Sequence, residues 1–179
     1  MFQIKELQNY PKLFHSFSEK KDGNMANAIL GKVFDFETVL DNRKKFFQKV
    51  DIPINDTVGM WVLGSDGIQV AKKVDAGKSI LDYKKAVKTD ALITNEKGLY
   101  LMLLVADCAP IILYDPISCS IGLVHVGWKG ADLEIIRKVI VRMKSEYKLD
   151  PKHLIVGIGP SARRNSFIKE SPSQLSDKK

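Results

Sequence analysis

Residues 105–130, VADCAPIILYDPISCSIGLVHVGWKG, constrain the fold of this chain more than any other stretch. Two short apolar runs, 110–115 and 120–126, flank the turn-forming Pro116-Ile117-Ser118-Cys119. Runs of this length, rich in β-formers and bounded by turn residues, read as buried strands of a hairpin. If Asp115 faces Ser120, then Pro110 faces His125. Cys108 lies two residues before Pro110 and shares its face. Diagonal neighbours across a strand pair stand about 7–8 Å apart, so a thiol and an imidazole there can share a metal or a proton. A slip of one residue sends them to opposite faces.

The rest of the chain alternates helical and β-like patterns. In DFETVLDNRKKFFQKV, Phe36, Val39, Leu40, Phe46 and Phe47 recur at helical spacing up to Ile52-Pro53. Arg43 on that helix either faces solvent or reaches an anionic ligand. Residues 58–63 and 68–74 read as strands around the turn Gly64-Ser65-Asp66-Gly67, where Asp66 is an ordinary turn aspartate. Residues 75–88 are polar with a weak helical pattern and read as a loop or an exposed segment. TDALITN (89–95) is a short strand, and 99–106 reads as a continuous buried strand delivering Asp107-Cys108 at its tip. Leu133, Ile136, Val139, Ile140 and Met143 predict a helix over 131–147. Its N-terminus beside His125 would seat an anion, reinforced by Lys129. Residues 154–158 read as another buried strand. Strands and helices alternate, which gives an α/β or α+β domain over 1–160 with a largely buried sheet. The polar tail, 161–179, is expected to fray.

Composition removes several classes. The 179 residues are 45% hydrophobic, enough for one core. A net charge of +7 favours anionic ligands, but the basic residues are dispersed and carry no nucleic-acid motif. Two cysteines give no disulfide framework. No signal-like segment opens the sequence, and no run reaches the roughly 18 apolar residues of a membrane span. A cytoplasmic, reducing setting is therefore expected, with no membrane or nucleic-acid partner.

For Cys108 and His125 the residues themselves leave three readings open. They can ligate zinc with a third donor from elsewhere, giving an open site that activates water or polarises a substrate. They can form a metal-free pair in which His125 helps make a nucleophilic thiolate. Or they can both be packing residues, since free cysteine is often buried. The pair has neither CxxC nor HExxH spacing. His15 is a lone histidine beside aromatics, expected to be structural, and His153 precedes a strand and is expected to be exposed.

Several segments resemble a known family in order and spacing: His15-Ser16-Phe17-Ser18, Asp41-Asn42-Arg43, Asp90-Ala91-Leu92-Ile93-Thr94-Asn95, Ala106-Asp107-Cys108-Ala109-Pro110, Tyr114-Asp115-Pro116, His125-Val126-Gly127-Trp128-Lys129-Gly130 and Gly159-Pro160. They are similar to the multicopper polyphenol oxidase or YfiH-like family, also described as purine nucleoside phosphorylases and as peptidoglycan editing factors. The resemblance implies a layered α+β fold, with a mixed buried sheet flanked by helices, and a zinc (or copper) ion held by one cysteine and two histidines. It also implies phosphorolysis of adenosine, inosine and methylthioadenosine, with adenosine deamination. Carried over, the cysteine is Cys108 and one histidine is His125, both catalytic and metal-ligating. The other histidine falls where Asp66 stands. Lys129, Trp128 and Arg43 are the expected substrate contacts for a purine nucleoside and phosphate. The family pattern continues after Gly-Pro with a Cys-Tyr-Glu-like motif, where this chain has Ser166-Phe167-Ile168. Those departures keep two alternatives in view: a metal-free cysteine hydrolase, and an attenuated homologue working in cell-wall quality control.

Overall fold

The structure is a computed structural model and describes residues 2–29, 32–163 and 165–166. Among these the elements run β1 (Ala28–Ile29), β2 (Lys32–Val33), α1 (Phe36–Lys49), β3 (Thr57–Trp61), β4 (Ile68–Val70), β5 (Val87–Lys88) and β6 (Ala91–Thr94). Then follow β7 (Tyr100–Met102), β8 (Ala109–Asp115), β9 (Ser120–Val126), α2 (Trp128–Asp132), α3 (Ile135–Tyr147) and β10 (Ile155–Ile158). They form a five-stranded mixed sheet in the order β10-β8-β9-β6-β4, a three-stranded parallel sheet β5-β3-β7, and the small antiparallel pair β1-β2. The α+β layering expected from the sequence is present. No helix among the described residues is long and apolar enough to cross a membrane.

The β8–β9 hairpin has the expected register, with Asp115 opposite Ser120 and Pro110 opposite His125. Its turn is fixed by Asp115, which is buried and accepts from the Ser118 backbone N–H (2.9 Å) and the Ser118 hydroxyl. Cys119 closes the turn in the left-handed region, at φ 54°. Alternation then sorts the large sheet into two faces. Ala91, Ile93, Ile111, Leu113 and Val124 point to one side and pack under Ile135, Val139 and Met143 of α3. Leu92 points to the other and joins Val58, Met60, Val87 and Leu99 around the small parallel sheet.

Four sequence expectations change. The apolar run 99–106 is not one buried strand: β7 ends at Met102, Leu103 and Leu104 are half-buried, and Val105 is exposed. An unbroken apolar run carries no alternation, so it cannot show where a strand stops. Cys108 consequently sits in a bend at the entry to β8 rather than at the tip of β7. The helix expected over 131–147 is broken at Glu134, whose φ of 54° is left-handed. The break shifts the buried stripe to Ile135, Val139 and Met143. The loop 75–88 is not wholly exposed, because Ile80 is fully buried against β3 at Gly59. Finally, β10 is an edge strand with Val156 and Ile158 exposed rather than a buried one. The frayed tail expected over 161–179 lies mostly outside the described residues; within them, Ala162 N–H donates to the Asp107 carbonyl at 3.0 Å.

Candidate active site

Three strands assemble the site on the sheet face opposite α3. On one flank of β9, Pro110 of β8 pairs with His125, and Cys108 lies just before it. On the other flank, the pairing of Ala91 with Val124 places Asp90 across from His125, whose backbone N–H donates to the Asp90 carbonyl at 2.8 Å. Cys108, His125 and Asp90 therefore share one face. His125 is 8% exposed and Asp90 fully buried, while Cys108 is half-buried.

The thiol and the imidazole both border the space over Gly127. A Cβ added there would stand 3.2 Å from Cys108 Sγ, 3.5 Å from His125 Cε1 and 3.8 Å from His125 Nε2. Gly127 thus leaves a small cradle bordered by both groups. Behind the ring, His125 Nδ1 lies 2.8 Å from Asp90 Oδ1. Asp90 also accepts from the backbone N–H groups of Leu63 (3.2 Å), Gly64 (3.0 Å) and Ser65 (2.8 Å), and from the Ser65 hydroxyl (2.6 Å). Burial pushes the Asp90 carboxyl up, but the hydrogen bonds from Ser65, His125 and Gly64 outweigh it and hold the group below its ordinary value. Cys108 moves the opposite way: burial, then the charges of Asp107 and Asp90, push its thiol up. Without a nearby cation this cysteine stays protonated at neutral pH, the reverse of what an activated nucleophile needs.

Asp66 is placed on the 63–67 loop, where its carboxylate pairs with Lys138 Nζ of α3. That charged partner, with the hydrogen bond to it, holds the Asp66 carboxyl below its usual value. Lys129 is exposed, with its stem 3.7 Å from where a Cβ on Gly64 would stand and its Nζ 5.5 Å from the Trp128 ring centroid, a cation–π distance. Trp128 is half-buried at the start of α2. Because α2 is a single short turn, the anion seat expected from a long helix dipole is much reduced.

Arg43 requires a correction. It is 2% exposed, and its guanidinium donates to the carbonyls of Met25 (2.9 Å), Ser79 (3.1 Å) and Ile80 (2.7 Å) and to Asn27 Oδ1 (2.8 Å). Burial lowers its pKa to about 10. All three nitrogens of the guanidinium hold α1 to the chain around 25–27 and 79–80, and the group is buried away from any exposed ligand. His15 is structural as expected: it is buried, and its Nε2 accepts from the Ile4 backbone N–H at 2.8 Å. His153 is exposed.

Sulfur and imidazole nitrogen form a donor set suited to zinc, and the glycine cradle leaves room between them. A third protein donor is not gathered there: among the described residues no group of three His, Cys, Asp or Glu side chains is arranged to hold a metal ion. A cavity of about 480 Å³ opens on the same sheet face, with Pro110, Ile112, Ile121 and Leu123 as its floor and Ala106 and Pro160 at its rim. It runs up to the site, but neither Cys108 nor His125 lines it.

The profile of the family described as multi-copper polyphenol oxidoreductase laccase matches residues 17–173. The chain belongs to that family. Among curated relatives, the "Purine nucleoside phosphorylase YlmD" of Bacillus subtilis is 34% identical over 112 residues, covering 60% of this chain and 40% of the relative. Among solved structures, YlmD from Geobacillus stearothermophilus superposes with a TM-score of 0.69 at 30% identity, covering 71% of this chain and 47% of that one. The Bacillus licheniformis protein YfiH gives 0.66 at 32% identity, covering 70% and 47%. The chain thus spans about half the length of the family members it matches, and they share its fold.

Asp90 is the residue that sequence reasoning passed over as a site residue. The sequence places it within the strand 89–95 with nothing to mark it as a site residue, and its partners lie 25–35 positions away. The signal was available once β6 was paired with β9, because that register sets Asp90 beside His125.

Proposed function

We propose that this chain carries the centre of a zinc-dependent purine nucleoside phosphorylase, with Cys108 and His125 as metal-ligating and catalytic residues. The observation that supports the reading is that Cys108 Sγ and the His125 ring edge both border the space over Gly127. The names of the curated relatives supply the reaction class. In phosphorolysis, phosphate adds to the ribose C1′ as the bond to the purine nitrogen breaks, and the base leaves with a proton. A zinc ion there would supply positive charge that favours the thiolate and polarises a substrate oxygen or a water. Cys108 and His125 would hold it, with Asp66, released from Lys138, as the third donor. Lys129, exposed with its stem beside Gly64, draws phosphate, and Trp128 offers a face to the purine. Adenosine, inosine and methylthioadenosine are the proposed substrates. Deamination of adenosine by an activated water needs the same centre.

One observation favours a second reading. Asp66 is bound to Lys138 and does not join Cys108 and His125, which fits an attenuated homologue without turnover. A metal-free cysteine hydrolase is disfavoured by the raised thiol. Elemental analysis together with a nucleoside assay separates these. The proposal expects one zinc per chain and phosphate-dependent release of base from adenosine or inosine, with both lost in Cys108→Ala. Absence of zinc after purification in zinc-supplemented buffer, together with no release of base, overturns it.

A further inference from the structure

We infer that Asp90 is the positioning residue of this site: its carboxylate fixes His125 as the Nδ1–H tautomer and pins the loop that carries Asp66. The inference concerns the site proposed above, but it stands on hydrogen-bond geometry alone. Asp90 Oδ2 accepts from Leu63 N, Ser65 N and Ser65 Oγ, and Oδ1 accepts from Gly64 N. Three backbone N–H groups and a hydroxyl converge on the two oxygens, which favours the ionised carboxylate, an acceptor only. His125 Nδ1, 2.8 Å from Oδ1, must then carry the hydrogen. In the neutral ring this leaves the Nε2 lone pair bare, on the edge that faces the Gly127 cradle and Cys108. Nε2 takes no hydrogen bond among the described residues. It is therefore free to ligate a cation or to accept the thiol proton, the arrangement a buried carboxylate behind a ligating histidine enforces.

The same oxygens hold three successive N–H groups of the 63–67 loop. The His125 ring and the backbone that carries Asp66 are thus set by one side chain. Loss of its charge disturbs both. In Asp90→Asn, the amide oxygen is expected to take the Oδ2 position, where the most donors converge. The amide NH₂ then faces His125 Nδ1 and Gly64 N–H. Nδ1 becomes an acceptor, the proton moves to Nε2, and the ring presents N–H to the cradle where a lone pair stood.

Two-bond ¹⁵N–¹H correlation on ¹⁵N-histidine-labelled protein tests this, with the His125 signals assigned by their loss in His125→Gln. His15 gives an internal reference, because its Nε2 accepts from a backbone N–H. Wild type is expected to show His125 protonated at Nδ1, and Asp90→Asn to show it protonated at Nε2. Cobalt(II) affinity, read by competition with a chromophoric chelator, should fall at least about tenfold in Asp90→Asn. Ser65→Ala removes a donor to the same carboxylate but leaves the histidine bond intact. It should lower stability, keep the tautomer, and hold cobalt within about twofold of wild type. An Nε2–H ring in wild type overturns the inference whether or not Asp90→Asn folds. So does an unchanged tautomer in Asp90→Asn, or an equal loss of cobalt affinity in Ser65→Ala. If the tautomer reverses as expected while the wild type releases no base from nucleosides, the positioning role stands and the phosphorylase reading falls.

Discussion

Gly127 is where the site is most sensitive to a single atom. Its φ of −85° and ψ of 178° are extended values open to any residue, so backbone freedom does not demand glycine. Space does. In Gly127→Ala the new methyl would press on Cys108 Sγ at 3.2 Å and occupy the cradle. The expected outcome is a stability change within about 1 kcal/mol, as for Gly to Ala at a helix N-cap, with metal affinity lowered by at least about tenfold. Chemical denaturation and the chelator competition check the two halves separately. Cys108 makes its own prediction. Because burial and the Asp107 and Asp90 charges raise its pKa, the metal-free protein should react with iodoacetamide at pH 8 more slowly than a free peptide thiol. A rate at or above that of the peptide would mean the thiol is activated, and would revive the hydrolase reading. The Cys108–His125 juxtaposition was legible only on an assumed register, Asp115 opposite Ser120, which the hairpin has. Asp90 was not, since a carboxylate is recognised as buried only once the strands around it are paired.

At the scale of elements, α1 shows what a helical pattern conceals. The apolar positions correctly marked the helix, and Val39 and Phe47 are buried as their spacing requires. Between them, on the same stripe, sits Arg43, which periodicity would assign to neither core nor ligand. Its guanidinium occupies a core position by satisfying backbone carbonyls that no strand or helix reaches. Replacing it with Met keeps the apolar stem and removes every donor. Each buried acceptor left unpaired costs about 1–3 kcal/mol. Arg43→Met should therefore destabilise the fold by about 3 kcal/mol or more in urea titration. In the protein that remains folded, cobalt affinity should stay at the wild-type value. A loss of phosphate or cobalt binding without loss of stability would return Arg43 to the ligand. The broken helix after Trp128 teaches a related lesson. Leu133, Ile136 and Ile140 are spaced well enough to suggest one continuous helix, but a left-handed Glu134 re-phases the stripe. A sequence pattern cannot show a break that no glycine or proline marks.

Across the whole molecule, the buried titratable groups set how the fold responds to acid. His15 is buried, and burial lowers its pKa from an ordinary 6.5; protonating Nε2 would also set an N–H against the Ile4 N–H that now donates to it. As pH falls through that ordinary value, the unfolded chain binds a proton that the native chain refuses. Stability is therefore complete above about pH 7 and begins to drain below it. Asp75, Asp90 and Asp115 are buried and held below their ordinary 3.8. Burial opposes this in each, and hydrogen bonds prevail, from Lys78 and Lys72 on Asp75, from Ser65 and His125 on Asp90, and from Ser118 on Asp115. Native carboxylates then stay ionised where the unfolded chain has already taken up protons, so a second and steeper loss follows below about pH 4. Urea midpoints across pH 3 to 9 should show a plateau above about 7, a shallow decline that begins as pH falls through about 6.5, and a collapse below about 4. His15→Gln, whose amide oxygen can still accept from Ile4 but does not titrate, should extend the plateau downward and leave the acid collapse in place. A His15→Gln curve that keeps the shallow decline would assign that step to a group other than His15.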